Sequence, residues 1–337
     1  MINHNKILNN LDNTIVKFIQ ERIDFINTND GIERKKFYGD NKNIKTNYQK
    51  YILEIFNKIS IIDSKEKEKK ILYLGPEGSY TQDAAIKKFG INNNFFSVNS
   101  ITNIFEEIYK QNADFAVIPI ENSLNGLVND TINAFLKYDL FVTDEIILDI
   151  HHTFASNCTN IENIKSIYSK DIAFDQCSNF LEKYNLHNVE HIYLESTTKA
   201  AILASQNKNS AAICSKIAAI KNDINIMFND IEDDPSNKTR FFVLSKKTNN
   251  MEEYIEYKTS FLIRLPNYAG SLIDFLQKFK EKNINLYKIK SHITKGISNF
   301  FIEFDGHYLD ESIIEIFTDY KNNIKIIGSY KKEIEDI

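Results

Sequence analysis

The sequence predicts a multidomain protein with a short all-α region at the N-terminus, an α/β region in the middle and an α+β module at the C-terminus. Three observations support this division: helical spacing of apolar residues in the first part, strands alternating with helices in the middle, and a β-α-β-β-α-β order near the end. The chain of 337 residues, 42% of them hydrophobic, is long enough for two or three domains with a core in each.

The N-terminal region, residues 1–62, has apolar residues that recur at three- and four-residue intervals, as they do on one face of a helix. Two series carry this spacing: Ile7, Leu8, Leu11, Ile15, Phe18, Ile19 and Ile23, and then Tyr51, Ile52, Ile55, Phe56 and Ile59. The charged run over residues 63–70 is interpreted as a linker to the next domain.

The middle region opens with the apolar strand Ile71–Leu74 and the turn sequence Gly75-Pro76-Glu77-Gly78. Further apolar runs read as strands at 115–118, 164–168, 191–194, 211–214 and 241–244, and helical segments such as 101–111 and 197–206 lie between them. This alternation predicts α/β sheets with helices on both faces, in a domain over residues 71–247.

The C-terminal module is assigned to residues 257–333. Its predicted strands are 259–265, 285–292, 299–304 and 324–328, and its predicted helices are 272–279 and 312–320. Their order, β-α-β-β-α-β, is the ferredoxin-like arrangement of a compact module.

Composition excludes several function classes. The net charge of -5 comes from interspersed signs without a basic stripe, so neither a nucleic acid nor an anionic membrane surface is an expected partner. No signal peptide and no apolar run long enough to span a bilayer is visible, and the expected compartment is the cytoplasm.

The cysteines and histidines indicate no metal site. Cys158, Cys177 and Cys214 lack paired spacing and are interpreted as small core residues. Neighbours in an extended segment point to opposite sides, so His151 and His152 cannot both bind one ion, and we expect one to be buried and the other exposed.

Polar side chains gather in loops that follow the predicted strands of the middle domain. The groups are Ser79, Tyr80 and Thr81; Glu121, Asn122 and Ser123; and Glu195, Ser196 and Thr197. Ligands of α/β sheets bind beyond the carboxyl ends of strands, where helix N-termini present free N–H groups. Each loop alone is typical of helix capping or a turn, but together with Arg240 they predict a shared cleft.

Arginine is scarce in this chain, which contains only Arg22, Arg34, Arg240 and Arg264 beside a large excess of lysine. A retained arginine indicates a need for the planar fork that binds a carboxylate with two parallel hydrogen bonds. Arg240 follows Thr239 just before an apolar strand, and the pair suits an anionic substrate.

The motifs Gly75–Thr81, Pro119–Ser123, Glu195–Ala201 and Thr239-Arg240-Phe241, in this order and at these intervals, resemble those of the prephenate dehydratase family. The resemblance runs from residue 71 to near residue 330. It implies a periplasmic-binding-protein-like catalytic domain with two lobes, one formed by residues 71–149 and 231–247 and the other by 150–230. It also implies conversion of prephenate to phenylpyruvate, water and carbon dioxide without a cofactor.

The resemblance also implies roles for the site residues. Thr239 would hydrogen-bond the leaving hydroxyl, Arg240 would clamp a substrate carboxylate, and Glu121 or Glu195 would serve as an acid if burial raises its pKa. A structural carboxylate is an equal alternative for Glu121. Asn122 joins the catalytic group, and the expected substrate contacts are Ser79, Tyr80, Thr81, Ser123, Gln176, Glu195, Ser196, Thr197 and Phe241.

The N-terminal region resembles the first helix of the chorismate mutase domain that many family members carry. Arg22 falls where that domain has a substrate-binding arginine, but the other arginines of its site are replaced here. One arginine cannot hold both carboxylates of chorismate, so we predict a degenerate domain with little or no mutase activity.

The C-terminal module resembles an ACT domain that senses phenylalanine. Asn267, Gly270, Ser271 and Leu272 match its first effector loop, whereas Lys290-Ser291-His292-Ile293 departs from the family's Glu-Ser-Arg-Pro and argues against feedback by L-phenylalanine. Side-by-side pairing of such modules predicts a homodimer or homotetramer. Arogenate as substrate, or a non-catalytic small-molecule-binding regulatory protein, are the alternatives.

Overall fold

The computed structural model describes residues 69–91, 93–248, 251, 255–294 and 297–332. The predicted helical region, residues 1–62, and the mutase residue Arg22 lie outside the described residues, as does most of the predicted linker. In the part of the chain that the structure describes, no helix is both long and apolar enough to cross a membrane.

The first sheet has six strands and is the scaffold of the site. Its strands are β1 (Lys70–Leu74), β2 (Asn94–Val98), β3 (Phe115–Asn122), β4 (Gly126–Leu127), β5 (Phe141–Asp149) and β11 (Lys238–Ser245). The order is β2-β1-β3-β11-β5, with β4 paired to β3. β1 runs parallel to β2 and β3, whereas β11 returns from the second sheet and runs antiparallel to β3 and β5.

Three helices cover this sheet: α1 (Tyr80–Phe89), α2 (Ile101–Tyr109) and α3 (Asn129–Lys137). α2 shows why these segments are helical, because Ser100 caps its start and its buried residues Ile101, Ile104, Phe105 and Ile108 follow helical spacing. Both faces of β11 are buried: Phe241 and Val243 pack on the α1 side, and Phe242 and Leu244 pack on the α2 and α3 side.

The second sheet has five strands in the order β10-β6-β9-β7-β8. They are β6 (Thr153–Ser156), β7 (Ser166–Ser169), β8 (Glu190–Tyr193), β9 (Ser210–Cys214) and β10 (Ile226–Phe228), with helices α4 (Asp171–Asp175), α5 (Ser178–Lys183), α6 (Thr197–Ser205) and α7 (Lys216–Lys221) and short 3-10 turns at Ile161–Asn163 and Leu186–Asn188. Cys177 and Cys214 are buried in its cores, as predicted, and Cys158 is half-buried beside them.

Two crossing segments connect the sheets. The chain leaves the first sheet after β5 and returns before β11, and the segments are hydrogen-bonded to each other from Ile150 N to Asn237 O at 2.8 Å and from Ile231 N to His152 O at 3.0 Å. The carboxyl ends of β1 and β3 therefore lie beside the crossing.

The C-terminal module, residues 257–331, has the predicted β-α-β-β-α-β order. Its elements are β12 (Tyr257–Arg264), α8 (Ser271–Glu281), β13 (Leu286–Thr294), β14 (Ile297–Asp305), α9 (Glu311–Asp319) and β15 (Ile324–Lys331). The sheet is antiparallel throughout, in the order β13-β14-β12-β15. One face packs on α8 and α9 through residues such as Phe261 and Phe304.

The opposite face of the module packs against the first sheet. Leu262, Phe301, Ile327 and Tyr330 share a core cluster with Phe242 and other residues of that sheet. β15 approaches β5 so closely that a Cβ at Gly328 would overlap the carbonyl oxygen of Val142. The module thus lies directly behind the strands that carry the predicted site.

Two strands of the first sheet that carry the predicted site are longer than the sequence predicted. The strand expected at 115–118 continues to Asn122, and the strand expected at 241–244 begins at Lys238. Glu121, Asn122, Thr239 and Arg240 therefore belong to the sheet and do not lie in loops, which decides the direction in which each side chain points.

Candidate active site

The candidate site is built where the end of β3 pairs with the start of β11. Thr239 is opposite Asn122, and Arg240 is opposite Glu121, with an irregularity in the pairing directly after Arg240. Successive side chains of a strand point to opposite faces of the sheet. Thr239 and Asn122 consequently share one face, and Arg240 and Glu121 share the other, toward the C-terminal module.

Asn122 is the centre of a hydrogen-bond cluster on the first of these faces. The two protons of its Nδ2 are shared among three acceptors, Thr239 Oγ1 at 2.9 Å, Lys238 O at 3.1 Å and Asn237 Oδ1 at 2.8 Å. Its Oδ1 accepts from the backbone N–H groups of Leu124 and Asn125, both at 3.1 Å. Because a backbone N–H can only donate and a backbone carbonyl can only accept, these contacts fix the orientation of the amide.

Ser123 and Asn237 complete the cluster. Ser123 N donates to Lys238 O and Lys238 N donates to Ser123 Oγ, both at 2.9 Å, and the Ser123 hydroxyl lies 3.4 Å from Asn237 Oδ1. Asn237 is 2% exposed. It was not among the predicted site residues, although its position two residues before Thr239 in the same motif was a usable signal.

The predicted residues Ser79, Tyr80 and Thr81 lie at the start of α1, after β1. Ser79 caps the helix by accepting from Gln82 N and donates its own proton to Leu74 O at 3.0 Å, so its hydroxyl is used within the turn. Thr81 is buried in α1. Burial raises the pKa of Asp83 on the same helix to about 6, against an opposing effect of Lys221.

Tyr80 connects α1 to the crossing between the sheets. Its hydroxyl donates to His151 O at 2.6 Å and lies 3.1 Å from His152 Nδ1. The other ring nitrogen of His152 lies 2.9 Å from Gln176 Oε1, which brings the predicted contact Gln176 into the same group. Burial raises the pKa of Tyr80 well above its usual range and lowers that of His152.

The histidine pair behaves as the sequence predicted, with His152 buried and His151 exposed. His152 was nevertheless not proposed as a site residue. His151 Nδ1 lies 2.6 Å from Glu232 Oε1, which raises the pKa of His151. Together with Asp230 these residues form a group of three whose ligand-type atoms lie within 4.8 Å of one another. His151 and Asp230 are exposed, and we interpret the group as an ion pair at the crossing.

The structure contradicts the prediction that Arg240 clamps a substrate carboxylate. Its side chain lies on the module side of β11 and Arg240 is 8% exposed. Nη1 and Nη2 donate to the two carboxylate oxygens of Glu303 at 2.7 and 2.6 Å, and Nε donates to Glu145 at 2.7 Å. Because carboxylates of the protein occupy the planar fork, it is not presented to a substrate.

Glu121 follows the same pattern. Its carboxylate faces the C-terminal module, where it forms an ion pair with Lys288 and lies 3.9 Å from Arg240 Nη1. The prediction of an acid in the cleft is wrong for this residue. A structural carboxylate is the alternative that fits, with ion pairs in place of the expected N–H groups of the loop.

Two further predictions need correction. Phe241 is 1% exposed and packs in the core between β11 and α1, so it is not a substrate contact. The side chain of Glu195 is 76% exposed and pairs with Lys199 at 2.9 Å, so the burial on which its role as an acid depended is missing. Its neighbour Ser196 caps α6 by accepting from Lys199 N at 3.1 Å, and Thr197 is the first residue of that helix.

The predicted effector residues all lie in the C-terminal module. Gly270 is the N-cap of α8, with Asn267 in the exposed loop before it and Ser271 and Leu272 in the first turn after it. Ser291 lies on the edge strand β13 and is exposed. The structure brings the first four together at the start of α8.

The fold and the cluster first define a class. Two mixed α/β sheets joined by crossing segments, with hydroxyl and amide groups at the carboxyl ends of strands, are typical of α/β proteins that bind a small molecule between two lobes. The family then follows from comparison with known proteins. A sequence model described as prephenate dehydratase matches residues 71–249.

Relatives support the same assignment. The chain is 33% identical over 293 residues to a bifunctional chorismate mutase/prephenate dehydratase of Aquifex aeolicus, covering 85% of this chain and 80% of that one. It is 32% identical to a prephenate dehydratase of Methanocaldococcus jannaschii, covering 78% and 98% of the two chains. The crystal structure of prephenate dehydratase from Arthrobacter aurescens in complex with L-Phe superposes with a TM-score of 0.72 at 26% identity, covering 78% and 90%. The protein belongs to the prephenate dehydratase family, a family of lyases.

Proposed function

We propose that the protein converts prephenate to phenylpyruvate, water and carbon dioxide at the cluster around Asn122 and Thr239. In this reaction the electron pair of the breaking carbon–carboxylate bond enters the ring. The ring hydroxyl leaves with one added proton as water, and the ring becomes aromatic. The protein must therefore bind a dianion and assist the departure of a hydroxyl group.

The contact between Asn122 Nδ2 and Thr239 Oγ1, at 2.9 Å, carries this proposal. Asn122 Nδ2 can only donate, so Thr239 Oγ1 must accept in this contact. The proton of the Thr239 hydroxyl is therefore directed to another acceptor. Accepting a hydrogen bond also polarises the hydroxyl and makes it a better donor. Thr239 is thereby oriented to donate to the departing ring oxygen, a role that does not require it to ionise.

Because Arg240 is paired with carboxylates of the protein, other groups must bind the substrate carboxylates. We propose the N-termini of α1 and α6, whose free N–H groups favour anions. The turn before α1 approaches α6, since a Cβ at Gly78 would lie 3.1 Å from Thr198 Cγ2. Ser79 and Ser196 cap these helices and so fix the first turns that would present the N–H groups.

The remaining assignments concern domains and regulation. We propose residues 71–247 as the dehydratase domain, with lobes 71–149 plus 231–247 and 150–230, and residues 257–333 as an ACT-type module. L-Phe is bound in the Arthrobacter aurescens relative. The altered segment at residues 290–293 leads us to expect weak or no inhibition by phenylalanine here, and we expect little or no chorismate mutase activity.

Phenylpyruvate formation from prephenate by the purified full chain tests the proposal. Thr239→Ala removes the hydroxyl and should lower kcat by about 10²–10³, the usual effect of losing one donor to a developing charge. Thr318→Ala, which removes an exposed hydroxyl on α9, is the matched control and should retain activity. Full activity of Thr239→Ala would contradict the assigned role, and turnover of chorismate in a parallel assay would contradict the loss of mutase function.

A further inference from the structure

A cluster of six charged side chains lies between the first sheet and the C-terminal module. It is balanced, with three cations and three anions: Arg240, Lys258 and Lys288, and Glu121, Glu145 and Glu303. Glu303 is 0% exposed and Glu145 is 2% exposed. Burial alone would raise the pKa of Glu303, but the charge and hydrogen bonds of Arg240 outweigh it and lower the pKa to about 2.

The contacts of the cluster join strands of the first sheet to strands of the sheet in the C-terminal module. Arg240 on β11 binds Glu303 on β14 with both ends of its fork and reaches the Tyr330 hydroxyl on β15 at 2.8 Å. Glu121 on β3 binds Lys288 on β13. The two strands that carry the proposed active site are thus each held from behind by the C-terminal module.

The register places these contacts immediately beside the site. Arg240 follows Thr239 in the chain, and Glu121 precedes Asn122, so each residue of the site has one held residue next to it on the opposite face. The irregularity between Arg240 and Phe241 is a bulge-like feature of the pairing. Bulges change the direction of a side chain, and this one lies directly after Arg240, whose guanidinium binds Glu303.

We propose that Arg240 and Glu121 are positioning residues, through which the C-terminal module holds Thr239 and Asn122 in their reactive arrangement. The inference rests on the proposed role of Thr239. A buried, bidentate ion pair fixes both the position and the rotation of its strand, whereas an apolar contact fixes neither so narrowly. A displacement of about 1 Å at a reacting group costs about 10²-fold in rate, so small shifts of β11 are sufficient to matter.

Glu303→Gln tests the inference with almost no change in shape, in the full chain, with prephenate as the probe. We expect kcat to fall by about tenfold, equivalent to about 1.4 kcal/mol, with KM within about twofold, because substrate contacts are not removed. A loss of stability alone would also lower the apparent kcat at unchanged KM, through a smaller fraction of folded protein, so kcat is measured per folded protein well below the melting temperature. Lys288→Met, at a less buried site, should lower kcat by about threefold and provides the test if Glu303→Gln does not fold.

Lys325→Met is the matched control. Lys325 also ties the module to the loop before β5, through Tyr138 O at 2.9 Å and Asp139 at 2.8 Å, but at the opposite end of β11 from Thr239. It should lower the melting temperature while leaving kcat within about twofold. An equal loss of kcat in this control would show a general effect of module docking and overturn the inference, as would unchanged kcat in the folded Glu303→Gln or Lys288→Met variants.

The double variant Thr239→Ala/Glu303→Gln separates this inference from the proposed function. Without the hydroxyl there is nothing for Arg240 to position, so the second substitution should lower the residual rate by less than about twofold. Additive losses would overturn the inference. If Thr239→Ala alone keeps wild-type activity, the proposed site is wrong; if it is inactive while Glu303→Gln is fully active, the site stands and the positioning role is wrong.

Discussion

Asn122→Asp is the sharpest perturbation of the proposed site, because it exchanges one NH₂ group for an oxygen and adds one negative charge with almost no change in shape. The unchanged Oδ1 keeps the backbone N–H groups of Leu124 and Asn125. The new oxygen faces three atoms that now accept: Asn237 Oδ1, Lys238 O and Thr239 Oγ1. Of these three, Thr239 can reverse its role with a simple rotation of the hydroxyl, and it would then donate to the carboxylate.

The expected magnitudes follow from these contacts. A half-buried acceptor that loses its donor costs about 1–3 kcal/mol. We therefore expect a loss of about 2 kcal/mol in the free energy of unfolding, small beside the roughly 5–15 kcal/mol of a typical domain, and a decrease of about 4–8 °C in Tm. Since the Thr239 proton is diverted from the substrate, kcat should fall by about 10²–10³, and the added negative charge should also raise KM for the dianion.

The assay is phenylpyruvate formation over a range of prephenate concentrations, with Tm measured on the same preparations. Asn103→Asp introduces the same chemical change at an exposed position of α2 and should leave kcat unaltered. Full kcat in a folded Asn122→Asp variant would refute the argument that this amide directs the hydroxyl. A loss that appears wholly in KM would show repulsion between the new carboxylate and the dianion, and it would also refute the role of the amide in directing the hydroxyl.

Two further predictions concern stability. Gly328→Ala forces a methyl group against Val142 of β5 and should lower Tm by an amount corresponding to about 1–3 kcal/mol, as overpacking does; an unchanged Tm would mean that the module does not approach β5 this closely. The pKa of Asp83 is raised from 3.8 to about 6, so the protonated carboxyl favours the folded state below about pH 4 and this contribution is lost as the pH rises to about 6. Asp83→Asn should therefore match the wild-type Tm near pH 4 and exceed it near pH 7, and equal Tm values at both pH values would contradict the raised pKa.

Much of the fold could be predicted because buried strands leave a clear signal. The run Phe241–Leu244 is apolar at every position since both faces of β11 are covered, and every residue of β9 is buried in the same way. Strands β2, β4, β5, β6 and β10 were not predicted. β2 and β10 lie at the edges of their sheets and have no buried residue, so their composition is under weak constraint. β4 has only two residues, and the largely buried strands β5 and β6 contain polar residues, so neither forms a continuous apolar run.

Several residues of the proposed site were predicted from the sequence, but the faces of the sheet to which their neighbours' side chains point were not. The sequence motifs brought Asn122, Ser123 and Thr239 together correctly, because the loops and strand ends that carry them meet at one edge of the sheet. The error concerned the residues next to them. A loop would allow Glu121 and Arg240 to turn toward the cleft, whereas a strand sends them to the opposite face. The ends of β3 and β11 are polar, and polar ends of strands cannot be distinguished from loops by periodicity alone.

Arg240 binds a carboxylate with both ends of its fork, as the scarcity of arginine predicted, but the carboxylate belongs to the protein and not to a substrate. Arg240 does need the planar fork, because it donates to both oxygens of Glu303 and, from its third nitrogen, to Glu145. A lysine offers a point charge and could not hold two carboxylates on different sheets in a fixed geometry. Scarcity of arginine therefore identified a position that requires bidentate binding, and only the fold reveals that the carboxylate belongs to the C-terminal module. A motif residue beside the threonine proposed to react can thus serve to hold the strand from behind the sheet, without binding the substrate.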